Sequence, residues 1–182
     1  MTPELRKAWR EDPLKMQHAL WPDVVFYDKQ REIIYSIRDD DETFVVAGNM
    51  LGKDFVAGFI VLWYFLCHYQ DDKTRNWVRV MTTSVKDEHL DVLWGEISRF
   101  VASCKVPLIH KYGGPLVVTH HEIRHVNELQ LTGGNAGSYV KGQVSKQGEG
   151  MSGHHAEHTL LVIDEASGVD DIVFNHGSEW SH

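Results

Sequence analysis

The sequence predicts a three-layer α/β domain with a largely parallel central sheet. Three observations predict it. Short apolar runs closed by turn residues alternate with longer runs of helical periodicity, the pattern of repeated strand–helix units. The run TFVVA (43–47) leads straight into a glycine turn and then into the long apolar stretch DFVAGFIVLWYFLCHY. A last apolar run, TLLVIDEA, ends in two adjacent acids. With 182 residues, the chain is long enough for one domain with a sizeable core.

Taken in order, residues 4–20 read as one amphipathic helix that stops near Trp21-Pro22. Residues 28–38, DKQREIIYSIR, place Ile33, Ile34 and Ile37 at helical spacing. Residues 43–47 read as a short buried strand, and the stretch after the glycine turn is apolar nearly all round, which suits a helix buried on several sides. WVRVMTT (77–83) is a second strand. VKDEHLDVLWGEISRFV is a second helix, with Asp87 and Glu88 in the first turn, where the helix dipole favours acids. Between Gly113 and Gly134 the runs LVVTH, EIRHV and ELQLT alternate like strands of an antiparallel hairpin or meander. Residues 133–153 contain seven glycines among Ser, Lys and Gln and read as loop. TLLVIDEA then completes the sheet as a buried strand.

Composition narrows the function classes. Hydrophobic residues make up 42% and charged residues 24%, ordinary values for a globular protein. A formal charge of −8 argues against a broadly basic, nucleic-acid-coating surface and leaves room only for a local patch. Cys67 and Cys104 are isolated thiols without C-x-x-C spacing, which fits a reducing compartment. The N-terminal stretch MTPELRKAWREDPLKM is charged and lacks the apolar run of a signal peptide. The apolar stretch Phe55 to Leu66 falls short of the roughly 18 residues a membrane span needs. A soluble cytoplasmic chain with no membrane partner is the expectation.

Two motifs carry chemistry. VVAGNMLGKDF (45–55) has the strand, glycine turn and helix context of a phosphate-binding loop, G-x-x-x-x-G-K-[ST], but Ala47 replaces the first glycine and Asp54 the Ser/Thr. Gly48 and Gly52 free the backbone across Ala47, Gly48, Asn49, Met50, Leu51 and Gly52, so that successive N–H groups can face phosphate oxygens. The helix beginning at Lys53 would aim its positive end at the same anion, and Lys53 would reach the outer phosphates. In TLLVIDEAS (159–167) a strand ends in Asp164 and Glu165, the form of a Walker B strand: the first acid for Mg²⁺, the second for the attacking water. Asp54 stands where a hydroxyl normally ligates the metal, and magnesium accepts carboxylate oxygen equally well. Asp54 is therefore expected as a second metal ligand, with nucleotide binding unusually dependent on Mg²⁺.

Four segments together resemble the N-terminal ATPase domain of the large terminase subunit, the DNA-packaging motor of tailed phages. YDKQREII (27–34) resembles its adenine-recognition stretch, and VVAGNMLGKDF its variable Walker A. VMTTSVKDEHLDVLWGEISRF (80–100) resembles the strand and helix that follow. GEGMSGHHAEHTLLVIDEASGVDD (148–171) resembles its glycine-and-histidine loop, Walker B strand and turn. The resemblance implies a P-loop NTPase of the additional-strand type and Mg²⁺-dependent ATP hydrolysis that drives double-stranded DNA into a procapsid. It further implies that Lys53 binds phosphates, Asp164 holds Mg²⁺, Glu165 is the catalytic carboxylate, and Gln30 with Tyr27 selects adenine. Its partners would be viral DNA, the portal of the procapsid, a small terminase subunit and neighbouring copies in a ring, in the host cytoplasm. Residues 1–182 would form a single ATPase domain that stops after Walker B, with no nuclease domain. A helicase-like DNA-dependent ATPase and a non-catalytic nucleotide-binding fragment stay open beside it.

Other features invite less specific readings. His154, His155 and His158 form HHxxH, but they fall in the loop that the terminase resemblance already covers. His120, His121 and His125 fall in the hairpin, where alternate exposure accounts for them. Lys141 and Lys146 make residues 137–147 a polar, mildly basic loop able to touch DNA backbone or to be a plain exposed loop. Trp63, Trp77 and Trp94 read as core. Arg75, Arg79, Arg99 and Arg124 are arginine-finger candidates by residue type alone.

Overall fold

A computed structural model describes residues 1–46, 52–70, 77–128, 137–144 and 156–165. Two short helices come first: α1 (Pro3–Glu11) and α2 (Pro13–Leu20). The single helix expected over 4–20 is broken because Pro13 has no N–H for a continuing ladder and disfavours helical backbone at Asp12. Asp12, in extended conformation, closes α1 and caps α2 by accepting from the Leu14 N–H at 3.1 Å. Helix α3 (Asp28–Asp39) follows as expected and buries Gln30 and Ile34.

Residues 42–46 correct the sequence reading. They form no strand; Phe44 and Val46 are exposed, and the rest of the predicted loop strand lies outside the described residues. Apolar pattern alone marked a strand here, but a strand also needs a neighbour to take its hydrogen bonds.

Helix α4 (Lys53–His68) is apolar nearly all round because it is covered nearly all round. It packs against α1, α3 and a second long helix, α5 (Asp87–Ser103), and lies on the sheet. Its Phe59 sits among Trp21, Phe26 and Phe100, with ring centroids 5.0–6.0 Å apart. Trp63 and Trp94 are core residues, whereas Trp77 is only partly buried; Trp63 donates its indole N–H to the Trp9 carbonyl at 2.8 Å, and the buried Trp21 to that of Phe100 at 2.7 Å. No helix among the described residues is long and apolar enough to cross a membrane.

The sheet has five strands: β1 (Val78–Ser84), β2 (Leu116–Thr119), β3 (Glu122–His125), β4 (Tyr139–Val144) and β5 (His158–Ile163), in the spatial order β2-β3-β4-β1-β5. The inner part is parallel, β4 and β5 flanking β1, while β2 and β3 form an antiparallel hairpin joined to β4. The domain is thus α/β with a mixed sheet, mostly parallel in its core. Val80 faces the helices, whereas Met81 and Tyr139 face the other way with Leu161 and Ile163 packed on them. Strand β4 is a second correction. The glycine-rich 133–153 stretch read as loop, yet its Tyr139–Val144 segment lies between β3 and β1 with Tyr139 and Val140 fully buried. Lys141 therefore belongs to a strand and not to an exposed DNA-touching loop; Lys146 lies outside the described residues.

Burial also decides a charge. His68, the last residue of α4, stacks on Tyr64 at 4.1 Å and faces His158 at 4.9 Å. A helix C-terminus favours a cation there, but desolvation wins and pushes the His68 pKa down to about 4, with His158 also lowered by burial. His68 is thus neutral in the fold and protonates more readily once unfolded. Its contribution to stability is intact above the unfolded value near 6.5 and is lost as pH falls through about 4. Urea titrations from pH 7.5 to 4 are expected to show a loss on the order of 2 to 3 kcal/mol that His68→Phe largely removes.

Candidate functional site

Strands β5, β1 and β4 run parallel, so their carboxyl ends share one edge of the sheet, the usual place for a ligand crevice in an open α/β sheet. Two clefts open there. The larger, about 700 Å³, lies beyond β1 and β4 and is lined by residues such as Lys86, Asp87 and Gln143. It holds none of the residues the motifs select. The smaller, about 410 Å³, lies between α4, α5 and the end of β5 and gathers most of the titratable side chains that the motifs predict.

Its floor is built by two chain segments far apart in sequence. Gly52 caps α4 with a φ of 68°, a left-handed conformation that glycine adopts freely. This turn starts α4 at the cleft, where Lys53 and Asp54 of its first turn line the wall. At the other side, β5 ends at Ile163 and the Asp164 N–H donates to the Thr83 carbonyl at 2.9 Å, so β1 fixes where the acids emerge. Glu165 has a φ of 55°; among the described residues only it and His121 are non-glycines with positive φ. Backbone held in a sparsely populated region at a cleft rim points to a functional constraint.

Lys53 joins these segments. Its Nζ donates to Asp164 Oδ1 at 2.7 Å and to Glu165 Oε1 at 2.9 Å. Burial alone would lower the Lys53 pKa, but the hydrogen bonds to both acids, with the charges of Asp164 and Asp54, outweigh it and raise the value. The Lys53 hydrogen bond and charge hold the Glu165 carboxyl below its ordinary range. Asp54 shifts the opposite way: burial raises its pKa, and the Asp164 charge adds to this while Lys53 partly offsets it. Asp54, Asp164 and Glu165 thus line one cleft with the Lys53 ammonium.

Two further residues complete the cleft. His89 and Glu96 come from one face of α5, two turns apart with Val92 between them. Glu96 raises the Asp54 pKa further, and Arg99 lies 3.1 Å from Glu96 Oε2. Sequence reading missed both; the only signal was their spacing on the face of α5 that turned out to meet α4. Four carboxylates against Lys53 and Arg99 make an oxygen-rich, electronegative pocket, the donor chemistry of a hard divalent cation.

The adenine pair lies beside this floor. Gln30 is buried, accepts from the Tyr27 N–H at 3.3 Å, and comes so near Gly52 that a Cβ there would meet its Nε2 at 2.9 Å. Tyr27 is half exposed at the start of α3. Ala47, Gly48, Asn49, Met50 and Leu51 lie outside the described residues, as do Arg75 and the first two histidines of the HHxxH motif, His154 and His155. Of the arginine-finger candidates among the described residues, Arg79 is buried between the Trp77 and Tyr139 rings, Arg124 pairs with Glu122, and Arg99 lies beside this cleft against Glu96. Neither a known protein family, nor a curated protein, nor a solved structure matches the chain.

Proposed function

We propose that the chain is a Mg²⁺-dependent ATPase domain with a P-loop fold of the additional-strand type, serving a DNA-packaging motor of the large-terminase kind. One observation carries the enzymatic part: the lysine of the variant loop meets both acids of the Walker B strand within hydrogen-bonding distance, across 111 and 112 residues of sequence. A chance Gly-Lys pair has no reason to fold onto an Asp-Glu pair at the carboxyl edge of a parallel sheet.

The residues then divide the work. The start of α4 and the Lys53 ammonium offer positive potential to an incoming triphosphate, and Lys53 exchanges one anionic partner for another without leaving the cleft. Asp164 and Asp54 are the residues that would hold a magnesium ion, which when bound would neutralise phosphate charge. Glu165, kept ionised by Lys53, orients a water and accepts its proton. Gln30, beside Gly52, and Tyr27 at the start of α3 would meet the base. The terminase assignment, with double-stranded DNA, portal, small subunit and ring partners, rests on the four sequence segments.

Calorimetric titration with a non-hydrolysable ATP analogue tests the site. Binding is expected with Mg²⁺, falling by roughly 10- to 100-fold on chelation and by a similar factor in Asp54→Asn. Affinity indifferent to chelation would sink the metal role of Asp54; no binding at all would sink the ATPase reading. The exposed 42–46 segment favours a second reading, in which nucleotide is held but not turned over. Binding without hydrolysis in the parent chain would select it. Strand separation of a duplex without capsid components would point instead to a helicase-like ATPase.

A further inference from the structure

We propose that the β2–β3 turn and α5 together form a binding site for a divalent transition-metal ion, Zn²⁺ foremost, with Asp91, His120 and His121 as ligands. The hairpin closes with two residues, His120 and His121, between the paired Thr119 and Glu122. Both imidazoles turn to the same carboxylate on the neighbouring helix. His121 Nε2 lies 2.8 Å and His120 Nε2 3.8 Å from Asp91 Oδ1, and one ligating atom from each residue falls within 4.8 Å of the others. Tetrahedral zinc with bonds of about 2.0–2.1 Å holds its donors roughly 3.3 Å apart. One of these separations is shorter and one longer, so small side-chain movements of opposite sign accommodate the ion.

The scaffold is specific to this purpose in two respects. His121 has a φ of 54°, a turn position that glycine or asparagine normally takes, yet here carries an imidazole. Its side chain is only 12% exposed, rests 5.4 Å from the Trp94 ring, and its carbonyl accepts from the Gly142 N–H at 2.8 Å. One ligand is therefore fixed by packing, while Asp91 and the exposed, stacked His120 close from the solvent side. Without an ion, two adjacent imidazoles 3.9 Å apart share a single carboxylate. With one, both ring nitrogens and the carboxylate oxygen point at a common centre, a borderline donor set that suits zinc and leaves a fourth position for water.

The chain has twelve histidines, so the test must separate this site from the others. Zn²⁺ titration of the full chain, followed by calorimetry and by the visible bands of Co²⁺ substituted for it, is expected to show one ion per chain. His121→Asn, which suits the turn, and Asp91→Asn, which preserves shape, are each expected to weaken binding by about 100-fold, with metal-free melting temperatures near that of the parent. The pair His154→Ala and His155→Ala is expected to bind as the parent does. Zinc retained by His121→Asn but lost on changing His154 and His155 would overturn the proposal, as would the absence of saturable binding in the parent chain.

Discussion

Glu165→Gln is expected to leave binding of Mg²⁺-ATP within about threefold of the parent and to lower turnover by ~10²–10⁴, the range spanned by loss of a positioned general base. Geometry makes the substitution selective. Gln keeps the length of the side chain and accepts from Lys53 with its amide oxygen, so the 2.9 Å contact survives while the proton acceptor does not. Both residues sit equally badly at a φ of 55°, so the fold is not the variable. Lys53→Ala acts on a different step. It removes the ammonium that pairs with Asp164 and Glu165 beside Asp54, and an incoming triphosphate then meets acids without that compensation. Affinity is expected to fall by roughly 100- to 1000-fold, comparable to the loss of one preorganised charge-stabilising group. Single-turnover and equilibrium binding measurements distinguish the two variants. If Lys53→Ala binds nucleotide as tightly as the parent, the lysine only pairs acids and the cleft is not a phosphate site. Since the Lys53 pair holds the Glu165 carboxyl below its usual range in the free chain, the acid limb of kcat/KM should also lie below the ordinary glutamate value.

What could be read from the chain beforehand follows from how local each signal is. Helices α3, α4 and α5 and strands β1 and β5 announce themselves through periodicity, because each repeats one apolar spacing over many residues. The Lys53–Asp164–Glu165 meeting was legible for another reason: its two motifs each specify a strand end or helix start, and α/β topology brings those to one edge. His89 and Glu96 had no such motif. A polar residue on a helix becomes a site residue only when a neighbour supplies the rest of the wall, and that information resides in the packing of α4 on α5. The 43–47 run failed in the opposite direction, since its apolar residues satisfy a strand pattern while Phe44 and Val46 are exposed.

Strand β4 is the instructive failure, and it yields the largest expected stability effect. Glycine was read there as a loop signal, but at Gly142 it answers a requirement of close approach. Gly142 is paired with Thr82 on β1, and a Cβ added to it would stand 2.3 Å from Trp94 Nε1 and 3.1 Å from Thr82 Oγ1. Those two atoms already bond each other at 2.9 Å, and the Trp94 ring is buried. Alanine at 142 must therefore push the indole off the sheet, at roughly 1–3 kcal/mol for overpacking, and strand a buried donor or acceptor at roughly 1–3 kcal/mol more. Gly142→Ala is expected to destabilise the fold by about 4 kcal/mol in urea unfolding. Trp94→Phe alone loses the hydrogen bond but frees the space, so the double variant should be more stable than the sum of the two single losses predicts, by more than about 0.5 kcal/mol. Strict additivity would mean that the methyl group and the indole never compete. In that case β4 would not lie under α5, and its strand pairing with β1 would have to be redrawn.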